Sequence, residues 1–257
     1  MPARKVLLLV GLTYCLHGAP TALAEARSFT VHFAGCSEFV GWGPAPLAAA
    51  QPLVPRGYVI AGAADGQAAI VVRATSCEAV GVDQSPAQPT ELSQIGINLV
   101  PPDGTGDINN YTVIYVTNNR ALAERFQMNG LPAVFDPRLT YEYTPDSSGL
   151  SGELYMSTAG EELPPYFLFG SEEEPLPNSH QRFLANWWFT GRYGRIKQST
   201  LFPVIGFGTA TVSLYTSKIS LLGNLIGGNM DGNFSFLSVR GVYPAATMTA
   251  SVTRLGS

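Results

Sequence analysis

Two short runs decide the fold: Gln94-Ile95-Gly96-Ile97-Asn98-Leu99-Val100 and Tyr111-Thr112-Val113-Ile114-Tyr115-Val116-Thr117. Both are rich in β-branched and aromatic residues, and the turn-forming stretch Pro101 to Asn110 lies between them, so they read as paired strands. Just beyond the second run Asn119 stands where an N-cap belongs, Arg120 to Met128 is a run of helix formers, and Asn129-Gly130 ends it. Leu122, Ala123 and Phe126 give that helix its apolar stripe. Working outward, strand signals recur at Phe29 to Ala34, Gly57 to Gly62, Ala69 to Cys77, Ala133 to Tyr143, Gly152 to Thr158, Thr209 to Ser217 and Ser235 to Tyr243. Shorter helices are expected at Glu38 to Trp42 and around Gln181 to Phe189. Many short strands punctuated by Gly and Pro predict a mainly β (α+β) chain, a single closed or partly closed antiparallel β-barrel with one or two short helices.

The N-terminus has the three parts of a secretory signal peptide: Arg4 and Lys5, the apolar run Val6 to Leu16, and the small-x-small site Ala22-Leu23-Ala24. The run is too short for the roughly 20 residues a spanning helix needs, and no later segment approaches a membrane span. The expectation is a signal peptide at 1–24 and one β-rich domain at 25–257, secreted or periplasmic. Loss of Arg4 and Lys5 takes the formal net charge from −4 to −6, which repels phosphate backbones and argues against nucleic acid as a partner. With hydrophobic residues at 46% and charged residues at 13%, there is ample apolar surface to bury. Nothing in the sequence speaks to an oligomeric state.

Beyond the signal peptide only Cys36 and Cys77 remain, and in an oxidising compartment an isolated pair reads as a disulfide. The alternative is a reactive thiol at Cys36 in Gly35-Cys36-Ser37-Glu38, where no neighbour in sequence would lower its pKa. His32 and His180 stand alone, with no metal-ligand spacing, no Gly-x-Ser-x-Gly and no phosphate-binding glycine loop, so neither a metal nor a cofactor is expected. Glu172, Glu173 and Glu174 read as a solvated acidic loop, and Asn110-Tyr111-Thr112 and Asn233-Phe234-Ser235 match the glycan acceptor pattern.

Among the aromatic residues that could line a cavity, Tyr141, Tyr155, Trp187 and Trp188 are the ligand-binding candidates. Adjacent Trp187 and Trp188 point to opposite faces of a strand, so one of them must meet a surface other than the one its neighbour meets. As an enzyme, the chain would use Glu91 as acid/base with Arg73 and Tyr115 orienting a carboxylate or carbonyl.

Val59 to Cys77 as paired strands, Glu91-Leu92 turning into Ile95 to Val100, Tyr111 to Thr117 running into the helix, and Gly130-Leu131-Pro132 leading to a strand at Ala133 follow one another in a telling order. Over roughly half of the chain that order resembles the acetoacetate decarboxylase-like β-barrel superfamily. The resemblance implies a cone-shaped barrel around an apolar pocket, with a desolvated lysine that forms a Schiff base with a β-keto acid. Glu91 would match the family's pocket carboxylate. The sequence departs at the lysine: beyond the signal peptide it has just Lys197 and Lys218, neither near the Gly130-Leu131-Pro132 turn that corresponds to the reactive lysine.

The expected function is therefore an exported barrel that binds or transforms a small hydrophobic or carbonyl-containing, keto-type molecule in an internal pocket. Any activity would be lyase-like without a Schiff-base lysine. The competing expectation is a non-enzymatic extracellular β-sandwich whose segment Leu221 to Tyr243 meets a partner. An enclosed void above about 300 Å³ lined by aromatic residues favours the first, and a filled interior favours the second.

Overall fold

Phe29, Val31 and Phe33 alternate with exposed His32 and Ala34, and this period of two runs into a strand that extends well past the predicted end at Ala34. The computed structural model describes residues 28–160, 163–226, 231–233 and 237–254; residues 1–24, where the sequence predicts a signal peptide, and Phe234-Ser235 of the second glycan triplet lie outside them. In chain order the elements are β1 (Phe29–Pro46), α1 (Leu47–Ala50), β2 (Gln67–Val82), β3 (Gln88–Asn98), β4 (Ile108–Thr117), α2 (Arg120–Met128), β5 (Val134–Phe135), β6 (Thr140–Pro145) and β7 (Ser151–Ser157). They continue with β8 (Tyr166–Glu173), β9 (Gln181–Gly191), β10 (Gly194–Thr216), α3 (Leu221–Leu225), β11 (Asp231–Asn233) and β12 (Leu237–Thr253).

Seven strands close a ring in the order β12, β1, β2, β3, β4, β9, β10 and back to β12. Every junction of the ring is antiparallel except β4 to β9, which is parallel. The parallel junction follows from the chain path, because α2, β5 and the excursion β6-β7-β8 intervene between those strands and bring β9 back in the same direction. β10 is long enough to serve twice: residues up to Thr209 pair within the ring, while Ala210 to Thr216 pair with β8 in an outer sheet that continues through β7 to β6. No helix among the described residues is long and apolar enough to cross a membrane.

Two buried clusters result. One fills the end of the ring where β1 begins, with Phe29, Phe33, Leu92, Tyr115 and Met248, and α2 closes that end by inserting Phe126 between Phe29 (5.0 Å between ring centroids) and Tyr115 (4.7 Å). The helix starts as expected, with Asn119 Oδ1 accepting the Leu122 amide at 3.2 Å. The other cluster, with Phe39, Val72, Ile95, Tyr141, Leu168 and Trp188, lies on the outer faces of the ring strands under β6-β7-β8.

Glu38 to Trp42 is not a helix but the middle of β1, and Gln181 to Phe189 is not a helix but β9. Both segments are covered on both faces, so the polar/apolar alternation that marks a strand with one wet face is absent from them. Gly57 to Gly62 makes only one bridge, Ile60 to Leu99. Glu172 and Glu173 belong to β8 rather than to a solvated loop, and Glu172 is fully buried. Asn110 of the first glycan triplet is likewise fully buried, out of reach of a glycosylating enzyme in the folded protein.

Candidate functional site

Cys36 and Cys77 face each other directly across β1 and β2 and are joined as a disulfide. That register places Glu38 opposite Thr75 and Val40 opposite Arg73, so Glu38 and Arg73 sit diagonally on the inner face of the ring. Arg73 Nε donates to Glu38 Oε2 at 2.7 Å, and Nη2 stands 2.7 Å from the same oxygen. Thr75 Oγ1 (2.9 Å) and Tyr243 OH (3.2 Å) donate to it as well. Both partners of the ion pair are almost wholly buried. Burial works against the Arg73 charge, but the attraction of Glu38 outweighs it and holds the guanidinium pKa above its ordinary value. A second polar layer adjoins it, where Gln94, across the strand pair from Arg73, donates through Nε2 to Thr112 Oγ1 (2.9 Å) and Gln198 Oε1 (3.3 Å).

On the side of this layer away from α2 the ring holds a cavity of about 440 Å³. Trp42, Trp187, Phe183, Phe202 and Phe207 supply its aromatic wall, with Val40, Val71, Ile108, Ile205 and Val239 between them. Its polar lining consists of Glu38, Arg73 and Asn110. Gly96 makes room for one wall: a Cβ there would come within 2.8 Å of the Trp187 ring and 2.3 Å of the Tyr111 carbonyl oxygen, so only glycine lets the indole lie against β3.

The sequence candidates are dispersed by this geometry. Arg73 and Trp187 line the cavity. Tyr115 points inward too, but into the cluster under α2, where burial pushes its hydroxyl pKa up while Arg73 pulls it down. Glu91 does not join Arg73: its neighbours Leu92 and Gln94 point into the ring, and its own half-buried side chain is on the outer face, where Asn118 Nδ2 donates to its carboxylate and burial raises its pKa. Trp188 faces outward, donating Nε1–H to Asn109 Oδ1 at 2.9 Å. Tyr141 sits in the outer cluster with its hydroxyl 3.2 Å from Ser37 Oγ. Tyr155 is 42% exposed on the far side of the outer sheet, beside Phe167. Glu38 and Asn110 are polar cavity residues that sequence reasoning does not find. The disulfide register is a signal for Glu38, since two residues beyond Cys36 and four before Cys77 share one face of paired strands.

Among the described residues no lysine reaches the cavity. Lys197 lies between inward-facing Ile196 and Gln198, and its ammonium binds Asp103 at 2.6 Å outside the ring. Ala133, which follows the Gly130-Leu131-Pro132 turn, is buried in the apolar cluster under α2. Among the described residues no group of three or more metal-ligating side chains is assembled.

Where β12 meets the outer sheet, two carboxylates share one guanidinium: Arg240 Nη1 binds Glu172 Oε2 at 2.9 Å and Nη2 binds the more exposed Glu174 at 3.0 Å. Burial pushes the Glu172 carboxyl up to about 7, Arg240 pulls it down, and the charge of Glu174 adds to the rise. The native state therefore holds a proton on Glu172 that the unfolded chain, near 4.5, has already released. Stability is expected to fall as pH rises from about 4.5 to about 7, by roughly 3 kcal/mol, and to be level on either side of that window as far as this group is concerned. Urea unfolding at a series of pH values checks this, and Glu172→Gln should flatten the profile in that window.

No family model matches the chain, and no curated protein matches it by sequence. Solved structures do. An acetoacetate decarboxylase-like enzyme from Sphingomonas wittichii RW1 superposes with a TM-score of 0.56 at 13% identity, covering 96% of this chain and 100% of that one. An acetoacetate decarboxylase gives a TM-score of 0.56 at 12% identity over 87% of this chain and 89% of that one. The acetoacetate decarboxylase of Legionella pneumophila subsp. pneumophila str. Philadelphia 1 gives 0.53 at 9% identity over 91% and 88%. At such identities the likeness is one of fold, and it extends across nearly the whole chain rather than the half over which the sequence carries it.

Proposed function

We propose that this protein is an exported member of the acetoacetate decarboxylase-like fold that binds a small, largely apolar molecule inside its ring of strands, without imine chemistry. The observation that carries the reading is an aromatic-walled cavity of about 440 Å³ with a buried Glu38–Arg73 pair at its polar end and, among the described residues, no lysine side chain on its wall. A space of that size lies within the range that small-molecule sites occupy, and a few polar groups in an apolar wall are what orients such a ligand. Schiff-base formation requires an amine of lowered pKa in the cavity, and the ring offers a guanidinium already paired with a carboxylate. Export rests on the sequence of residues 1–24 alone.

Two measurements test the reading. Native mass spectrometry of protein purified from its own source is expected to show a retained small molecule, released on denaturation. Titration with medium-chain methyl ketones is expected to change tryptophan fluorescence saturably, because Trp42 and Trp187 border the cavity. A protein that carries nothing and gives only a linear response would end the ligand reading and leave the interaction protein in its place.

A further inference from the structure

Asn110 is fully buried on β4 and borders the cavity. The orientation of its amide is fixed by a chain of contacts. Asn98 Nδ2 donates to the Asn109 carbonyl at 3.1 Å, which settles which end of the Asn98 amide is nitrogen. The same Nδ2 donates to Asn110 at 3.2 Å, so the Asn110 atom it meets is Oδ1. Asn110 Nδ2 is thereby left as a buried donor with no partner among the described residues. An orphaned buried donor is uncommon in a folded protein and calls for an acceptor.

The charges nearby are already balanced. Arg73 is matched by Glu38, whose Oε2 also accepts from Thr75 and Tyr243; Arg73 Nη2 makes no hydrogen bond, but it lies 2.7 Å from that same oxygen and its charge is neutralised there. An ionised ligand would enter this apolar space without a free counter-charge, and an anion would also face Glu38. Resting on the ligand-binding reading above, we propose that the cavity selects an uncharged molecule with a hydrogen-bond acceptor oxygen, a ketone, aldehyde or ester, and that Asn110 Nδ2 is the donor that holds that oxygen. A keto acid in its anionic form is the wrong guest for this site. Asn110 thus acts as the specificity-determining residue.

The test compares three probes of equal chain length: a methyl ketone, the alkane and the carboxylate. The wild-type protein is expected to bind the ketone about tenfold more tightly than the alkane, one hydrogen bond's worth, and at least as much more tightly than the carboxylate. In Asn110→Leu the ketone should lose that factor of about ten while the alkane stays within about twofold. The infrared carbonyl stretch of the bound ketone reads the bond directly: it should shift to lower frequency in the wild-type protein, and the shift should vanish in Asn110→Leu. That band is measured on the wild-type protein alone if the variant does not fold. Equal binding of ketone and alkane, or an unshifted carbonyl band, overturns the role of Asn110 while the cavity reading stands. Tightest binding of the carboxylate overturns the charge argument. If none of the three binds, the ligand reading itself has failed.

Discussion

Arg73→Met is expected to destabilise the fold by about 3–5 kcal/mol, because it removes one partner of a buried ion pair and leaves Glu38 as a charge with no counter-charge beside it. The combined variant Glu38→Leu with Arg73→Met should recover part of that loss, since two apolar side chains of similar volume suit an apolar interior better than one stranded carboxylate. Full recovery is not expected. Thr75 and Tyr243 lose the acceptor they share, and each buried hydroxyl left unpaired costs about 1–3 kcal/mol. A double-mutant cycle in urea supplies the measurement. If the two single losses simply add in the combined variant, Glu38 and Arg73 are not coupled and the polar end of the cavity is not built on their pairing.

Only half of that pair, Arg73, is legible in the amino-acid sequence as a site residue. The strand pattern of β2, β3 and β4, the capped helix α2 and the cysteine pair are all legible, because each rests on local chemistry: β-branched alternation, an Asn cap with a Gly stop, and two isolated thiols. The order of these elements is enough to place the fold. Glu38 to Trp42 and Gln181 to Phe189 resemble helices in sequence because both faces of those strands are covered, which erases the period of two, and these are the strands that carry Glu38, Trp42 and Trp187 to the cavity. Glu91 stands out by its place in a sequence order, yet register decides facing, and a one-residue difference in a strand exchanges inside for outside. The parity of Leu92 and Gln94 puts Glu91 on the far side from Arg73. The acidic run at Glu172 looks solvated in sequence because its partner, Arg240, is supplied by a strand at the other end of the chain. Long-range pairing of this kind has no local signature.

Trp187 and Trp188 offer a matched pair of experiments, since the two residues are identical, adjacent, nearly equally buried and on opposite faces of β9. Either one replaced by alanine should cost about 3–5 kcal/mol in unfolding free energy, as expected when a large buried aromatic is truncated and the surroundings relax only in part. Their effects on the ligand should separate. Trp187→Ala removes a wall of the cavity, and because Gly96 lies behind the indole no neighbouring side chain from that position can move in to fill the space. The variant should favour longer or bulkier ketones than the wild-type protein prefers. Trp188→Ala opens space in the outer cluster beside Tyr58 and strands Asn109 Oδ1, so it should weaken the fold comparably and leave the order of preference among ketones unchanged. Unfolding curves together with affinities across a chain-length series decide the matter. Equal shifts in preference from both variants would mean that general loosening of the ring sets the ligand size, whereas a shift from Trp187→Ala alone places the ligand on the inner face, between that indole and the Glu38–Arg73 pair.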